Sequence, residues 1–205
     1  WAVMIPLALV WILVLFVIGR GLSKGVEAAN KVFLPLLVIL FLALVIRALF
    51  LPGAVEGLNA FFTPHWAALA DPKVWLAAFA QIFYSLSVGF GIMLTYASYL
   101  QRKSNLTGTA LVAGFANSSF EILAGIGVFS AVGFMAHQGG VSVSEVEGLT
   151  GPILSFVTFP KIISMMPGGP IFGVLFFSSL VLAGVTSLLS LLQVVSGGLQ
   201  DKFGW

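Results

Sequence analysis

Long apolar stretches constrain the fold of this 205-residue chain more than any other feature. Five of them are long enough to cross a bilayer as a helix, at residues 2–19, 26–51, 74–100, 106–136 and 170–199. Inside lipid every backbone amide and carbonyl needs a partner within the protein, which leaves only helices and closed barrels. Because stretches of this length favour helices, the chain is predicted to be an all-α, polytopic membrane protein with about five transmembrane helices.

The composition agrees with this prediction and excludes several functions. Hydrophobic residues make up 60% of the chain and charged residues 8%, against about 25% charged residues in soluble domains. The net charge of +2 is small and dispersed, so no nucleic-acid partner is expected. There is no cysteine, which excludes disulfides, thiol catalysis and cysteine-ligated metal sites. The expected surroundings are a lipid bilayer.

The third apolar stretch carries residues that disfavour a continuous helix. Ser85, Ser87, Gly89 and Gly91 lie near its centre. A helix in the bilayer breaks only where protein or a water-filled cavity satisfies the freed backbone groups. Freed carbonyls can then coordinate a cation, and the end of a half-helix can hold an anion. We predict two half-helices joined by irregular backbone near residues 85–91, an arrangement typical of transporters.

The distribution of charge predicts the orientation of the chain. Basic residues gather in the first loop, in the third loop and at the C-terminal edge: Arg20, Lys24, Lys31, Arg102, Lys103 and Lys202. The alternate loops hold the acidic residues Glu56, Asp71, Glu145 and Glu147. Because basic loops remain in the cytoplasm, residues 52–73 and 137–169 are predicted to be extracellular loops.

Glu121 is the only carboxylate deep within a predicted span. A charge at that depth costs about 3 kcal/mol, so the side chain has to be paired, protonated or beside water. Asn117 precedes it by four residues and therefore lies on the same helix face. One interpretation is a buried polar network with a purely structural role. Because ionisable groups within membranes usually serve function, participation in ion coupling is the favoured interpretation.

Two other segments place polar or helix-breaking residues within the spans. Residues 183–187 read Ala-Gly-Val-Thr-Ser, and their oxygens could bind a hard cation, although such hydroxyls often bond only to their own helix. Gly25 and Pro35 bracket the start of the second span, where Pro35 removes a helical hydrogen bond. That site is either a tolerated kink or a gate at which the helix unwinds. Small packing residues are expected at Ser178, Ser179 and Ser190.

Several of these segments, in the same order along the chain, resemble the neurotransmitter:sodium symporter family, whose members have the LeuT fold. Gly25 and Pro35, with nine residues between them, match its Gly-x9-Pro motif. Residues 81–99 resemble its broken sixth helix, residues 117–121 its seventh and residues 186–187 its eighth. The resemblance implies that residues 1–205 are part of a transporter domain that covers helices four to eight. Helices of the same protein outside this stretch, including the first and third, would complete the transporter.

The resemblance implies sodium-coupled symport of an amino acid or a related small zwitterion, with Na⁺ as the coupling ion and no organic cofactor. Ser85 and Asn117 match ligands of the family's first sodium site. Ala183, Thr186 and Ser187 match ligands of its second sodium site. Ser85 stands where Thr is more usual, which retains the hydroxyl and loses a methyl group.

The resemblance also implies a substrate pocket. Tyr84 matches the aromatic residue that covers the substrate, and Ser87 and Phe90 match positions in the pocket wall. Leu188 stands where many members have a smaller residue, so this wall should be more apolar. The identity of the substrate is therefore left open.

Gln81 and Glu121 match the place where chloride-dependent relatives bind chloride. A carboxylate at that place supplies the negative charge itself, so chloride-independent transport is implied, as in prokaryotic relatives. A fixed carboxylate at Glu121 is also physically reasonable, because a sodium ion in a low dielectric needs a negative charge nearby. The expected location is a cell membrane, with a prokaryotic cytoplasmic membrane favoured.

Three other classes of membrane protein are alternatives to a sodium symporter. A LeuT-fold carrier with another coupling ion and substrate has the same architecture. A channel or a structural membrane subunit is a different class, and a channel would need a filter loop or rings of polar residues, which the sequence lacks. A membrane enzyme would need clustered histidines, aspartates or cysteines near the spans, so no enzymatic activity is expected.

Overall fold

The computed structural model describes residues 3–101, 103–146, 151–165 and 167–204. Within these ranges the regular structure is helical and no strand occurs, which confirms the all-α polytopic class. The α-helices are α1 (Met4–Gly19), α2 (Ala28–Leu49), α3 (Ala54–Phe62), α4 (Pro72–Ser85), α5 (Ile92–Ser98), α6 (Leu106–Gly139), α7 (Gly151–Ile153), α8 (Phe159–Met165) and α9 (Gly169–Phe203). Single π-helical or 3₁₀ turns lie at Leu22–Glu27, Trp66–Ala70, Val143–Glu145 and Leu154–Thr158. Arg102 and Glu147, which entered the orientation argument, lie outside the described residues.

Three helical segments are long and apolar enough to cross a bilayer: Lys24–Leu49, Leu106–Gly139 and Gly169–Phe203. They overlap the second, fourth and fifth apolar stretches of the sequence. The first stretch forms α1, which has 16 residues, and its expected start at Ala2 lies outside the described residues. The third stretch is divided between α4 and α5. Large apolar side chains face outward along these segments, as expected of helices in contact with lipid.

The chain divides into two compact units. The first comprises Trp1–Leu37, Lys73–Val112 and Leu180–Trp205, and the second comprises Val38–Pro72 and Ala113–Ser179. The long helices α2, α6 and α9 contribute residues to both units, so each unit is assembled from segments distant in sequence.

The core of the first unit is aliphatic. It comprises the buried side chains Val14, Val17, Val26, Val185 and Leu189, contributed by α1, the first π-helical turn and α9. Gly25 allows the π-helical turn to approach α1, because a Cβ at this position would overlap the carbonyl oxygen of Val17. Helices in lipid associate through van der Waals packing, and a small residue at the crossing brings the backbones together.

The core of the second unit is built where α3 and α8 pack against α6. Leu51, Ala131, Phe134 and Ile162 form one buried cluster. A Cβ on Gly57 would overlap the carbonyl oxygen of Phe129, so α3 and α6 are in backbone contact. Within residues 52–73, the segment predicted to be an extracellular loop, Ala54–Phe62 thus forms a packed helix.

Candidate ion and substrate site

The backbone of the third apolar stretch leaves the helix at Ser85 and resumes it at Ile92. The amide of Val88 donates to the carbonyl of Phe83 at 2.9 Å, and the amide of Ser87 donates to the carbonyl of Tyr84 at 3.0 Å. These two bonds form the Schellman pattern that ends many helices. The break is therefore a capped helix end, with defined hydrogen bonds.

Ser87 occupies the left-handed position of this cap with φ 54°, where glycine is the usual residue. Among the described residues it is the one non-glycine residue with positive φ. Left-handed backbone costs an L-residue about 1–2 kcal/mol, which indicates that surrounding contacts hold Ser87 in place. Gly89 at φ 86° and Gly91 at φ 77° complete the irregular segment without that cost.

Two aromatic side chains flank the break. The rings of Tyr84 and Phe90 lie 6.3 Å apart between centroids and meet edge to face at 76°. Ser87, between them in sequence, is half-buried. The structure thus brings together three of the four predicted substrate residues. The fourth, Leu188, packs against the aliphatic core of the first unit.

The candidate sodium ligands on α9 lie within one turn. The Thr186 hydroxyl donates to the Ala183 carbonyl at 2.9 Å. Thr186 is half-buried, whereas Ser187 is exposed. This bond is the local back-bonding that the sequence analysis set against a cation site. It occupies the proton of the hydroxyl and leaves oxygen lone pairs on both residues, so it is compatible with cation binding as well.

A second set of hydrogen bonds joins α5 to α9. The Tyr96 hydroxyl donates to Ser190 Oγ at 3.0 Å, and the Ser190 hydroxyl donates to the Thr186 carbonyl at 3.2 Å. Gln193 Nε2 donates to the Tyr99 hydroxyl at 3.1 Å. Sequence reasoning missed these contacts and treated Ser190 as a packing residue. The available signal was the spacing of three residues in each pair, Tyr96 with Tyr99 and Ser190 with Gln193, which places each pair on one helix face.

The predicted gating residues lie at the start of the second span. The amide of Gly25 donates to the Gly21 carbonyl at 3.0 Å, and that of Val26 donates to the same carbonyl at 3.3 Å. The turn is π-helical here, and Pro35 lies inside the α-helix that follows. An irregular turn at a span's start fits a segment that can unwind, although Gly25 also has the close-packing role described above.

The remaining candidates lie on other helices. Asn117 and Glu121 are on α6 in the second unit, Asn117 half-buried and Glu121 exposed. Gln81 and Ser85 are on α4 in the first unit, Gln81 exposed and Ser85 half-buried. Because each pair is divided between the units, the pairing of Ser85 with Asn117 and of Gln81 with Glu121 stays a prediction.

Neutral oxygens are the cation ligands that this arrangement offers. Within residues 3–101, 103–146, 151–165 and 167–204, no three histidines or carboxylates gather as a metal cluster. Hydroxyl and carbonyl oxygens are hard ligands that suit a monovalent or divalent hard cation and disfavour a transition metal.

Comparison with known proteins gives a consistent assignment. A model of the sodium:neurotransmitter symporter family matches residues 1–205. An uncharacterized sodium-dependent transporter of Methanocaldococcus jannaschii is 41% identical over 99% of this chain. The sodium- and chloride-dependent creatine transporter 1 of Bos taurus is 36% identical over 91% of the chain, and the sodium-dependent serotonin transporter of Drosophila melanogaster is 36% identical over 95%.

The relatives are longer than this chain. The chain spans 41% of the archaeal relative, 29% of the bovine one and 31% of the Drosophila one. All three are transporters rather than enzymes, as the sequence analysis expects of this chain. With the family model matched from the first residue to the last, the chain belongs to the sodium:neurotransmitter symporter family.

Proposed function

We propose that this chain is part of a sodium-coupled symporter that carries an amino acid or a related small zwitterion across a prokaryotic cytoplasmic membrane. The observation that carries the proposal is the capped break between α4 and α5 in an otherwise apolar stretch. Irregular backbone at membrane depth is tolerated where it lines a cavity or a binding site. Helices outside residues 1–205, including the first and third of the transporter, supply the rest of the ion and substrate sites.

Sodium is the proposed coupling ion, with two sites. The second site takes its α9 ligands from Ala183, Thr186 and Ser187, and the first includes Ser85 and Asn117. The 2.9 Å bond from Thr186 to Ala183 supports the second site, because it fixes two of the oxygens relative to each other. The family match and the sodium dependence in the relatives' names support the ion.

Substrate is proposed to bind at the break, against Tyr84, Ser87 and Phe90, with Leu188 in the wall. The edge-to-face rings of Tyr84 and Phe90 support this position. Relatives named for creatine, glycine and serotonin are consistent with a small amine-bearing molecule.

The test of sodium coupling uses the full-length protein in proteoliposomes. Replacing both Thr186 and Ser187 with Ala removes two oxygen ligands. The sodium half-saturation of uptake should rise well beyond tenfold, since each contact to an ion is worth about 1.5–3 kcal/mol. Ser179→Ala is the matched control, because Ser179 lies on the same helix and its hydroxyl donates to the Phe176 carbonyl at 2.7 Å.

Two outcomes would contradict sodium coupling. An unchanged half-saturation in the double variant would show that the hydroxyls serve only their own helix. Uptake driven by a proton gradient without sodium would favour the alternative, a LeuT-fold carrier with another coupling ion.

Chloride independence is proposed from Glu121, because Gln81 and Glu121 match the place where chloride-dependent members of the family bind chloride. Uptake by the full-length protein should therefore proceed without chloride. Glu121→Ser should lose uptake in chloride-free buffer and regain it when chloride is added. Equal uptake by the Ser variant with and without chloride would make Glu121 a structural residue.

A further inference from the structure

Ser190 and Tyr96 connect the broken span to the candidate sodium ligands on α9. The Tyr96 hydroxyl donates to Ser190 Oγ at 3.0 Å, and Ser190 donates in turn to the carbonyl of Thr186 at 3.2 Å. Thr186 donates its own hydroxyl proton to Ala183. Two hydrogen bonds therefore lead from α5, which follows the break, to the backbone carbonyl of Thr186, in the turn of α9 that carries two of the oxygens proposed to bind sodium.

We propose that Tyr96 and Ser190 are positioning residues for sodium, which hold the Thr186 turn of α9 in its ion-binding arrangement and couple it to α5. This inference rests on the proposed function, in which Ala183 and Thr186 are sodium ligands. Neither Tyr96 nor Ser190 is a ligand itself. Both are half-buried, and their bond joins α5 to α9 within the first unit.

The physical basis is preorganisation. A cation site is selective only when its oxygens are held close to the productive geometry by neighbouring contacts. The Ser190 hydroxyl donates more strongly to the Thr186 carbonyl while its own oxygen accepts a hydrogen bond from Tyr96, because neighbouring hydrogen bonds strengthen one another. Loss of either hydroxyl leaves the Thr186 turn free to adopt other arrangements, and sodium then has to restore the productive one at a cost in affinity.

The surroundings of the bond allow it to open. Tyr96 and Ser190 lie in the wall of a cleft of about 730 Å³, which is also lined by Asn30 and Pro35. Water in such a cleft can replace the bond between the two hydroxyls at little cost. The contact between α5 and α9 is therefore suited to forming in one state of a transport cycle and opening in another.

The experiment compares Tyr96→Phe, Ser190→Ala and the double variant in the full-length protein, with sodium half-saturation of uptake measured at saturating substrate. Each single variant should raise the half-saturation about threefold to tenfold, the effect of losing one neutral hydrogen bond. The double variant should raise the half-saturation no further than the more affected single variant, since both hydroxyls act through the same hydrogen bonds. Substrate KM at saturating sodium should stay within about twofold of the unaltered protein.

Two further variants separate positioning from general stability. Ser190→Thr retains the hydroxyl and should restore most of the sodium affinity. Ser179→Ala removes a comparable buried hydroxyl from the same helix and should leave the half-saturation unchanged. The rise in melting temperature on adding sodium without substrate is a second readout. This rise should be smaller in Tyr96→Phe and Ser190→Ala, and it should be unchanged in Ser179→Ala and largely retained in Ser190→Thr.

The outcomes distinguish this inference from the proposed function. Sodium-dependent uptake by the unaltered protein, with an unchanged half-saturation in both single variants, would overturn the positioning role alone. Losses that multiply in the double variant would also overturn it. Uptake independent of sodium in the unaltered protein would overturn the proposed function and this inference with it. If Tyr96→Phe fails to fold, Ser190→Ala against Ser190→Thr decides the question.

Discussion

Two helix contacts, one in each unit of the molecule, are built in different ways. In the first, α5 meets α9 through hydroxyl and amide hydrogen bonds, and the backbone beside them is irregular. In the second, α3 meets α6 through glycines, with backbone against backbone. Hydrogen bonds beside a cleft can be exchanged for water, whereas a glycine crossing has no alternative partner. The first kind of contact suits a moving part, and the second suits a fixed one.

The strongest test of this contrast adds one methyl group to the second unit. A Cβ on Gly133 would overlap the Gly53 carbonyl and lie 2.7 Å from the Gly57 amide nitrogen. Because the backbone of α6 meets the backbone at the start of α3 there, Gly133→Ala should lose about 1–3 kcal/mol of stability or more. The expected result is a large drop in the melting temperature of the purified full-length protein and in its folded yield.

Gly114→Ala is the matched control for that experiment. Gly114 lies on the same helix, and a Cβ there would meet no atom within 4 Å. Alanine is the better helix former, so this variant should be neutral or slightly stabilising. Equal effects of the two substitutions would show that the α3–α6 crossing is loose, and the distinction between the two units would fail.

The break itself could be anticipated from sequence, because Ser85, Ser87, Gly89 and Gly91 all disfavour helix within one apolar stretch. Its exact geometry could not. The usual residue in the left-handed position of such a cap is glycine, whereas the structure places Ser87 there. Local propensity indicates where a helix ends, but tertiary contacts decide which residue bears the strain.

Contacts between helices were harder to anticipate. The Tyr96–Ser190 bond depends on how α5 and α9 are rotated about their axes, which the spacing of residues within one helix does not fix. The packing of α3 on α6 was also not predicted, because Gly53 and Gly57 occur in a segment whose Pro and Gly content is equally typical of a loop. The candidate ligands on α9 could be proposed from sequence because they lie within five consecutive residues, and their binding of sodium stays a prediction.

A moderate effect is expected at Ser87, where the irregular backbone of the first unit stores strain. Ser87→Gly should be more stable than Ser87→Ala by about 0.5–1 kcal/mol, because both remove the hydroxyl and only glycine adopts φ 54° without cost. Thermal unfolding of the two variants measures the difference. If alanine is tolerated as well as glycine, the cap is unstrained and the irregular segment is an ordinary turn.

The smallest effect is expected at a polar turn in the second unit, which otherwise relies on close packing. Ser142 and Glu145 form a capping box around Val143–Glu145, in which the Ser142 amide donates to the Glu145 carboxylate at 2.9 Å. The hydrogen bond from the Ser142 amide, followed by that from its side chain, holds the pKa of Glu145 below the ordinary value of 4.5. Because the pKa is lowered in the folded state, the turn gains stability that is fully present above pH 4.5 and is lost as the pH falls through the lowered value.

Hydrogen exchange at the Ser142 amide measures this local effect. At each pH, the exchange rate in the unaltered protein is divided by the rate in Glu145→Gln, so that the intrinsic pH dependence of exchange cancels. The unaltered protein should show extra protection near neutral pH, and that protection should disappear on acidification below the lowered pKa. The melting temperature should barely change, because the exposed carboxylate contributes little beside the packing at Gly53, Gly57 and Gly133. A substantial fall in melting temperature in Glu145→Gln would mean that the second unit also depends on exchangeable polar contacts, and the α3–α6 crossing would not represent how this unit is stabilised.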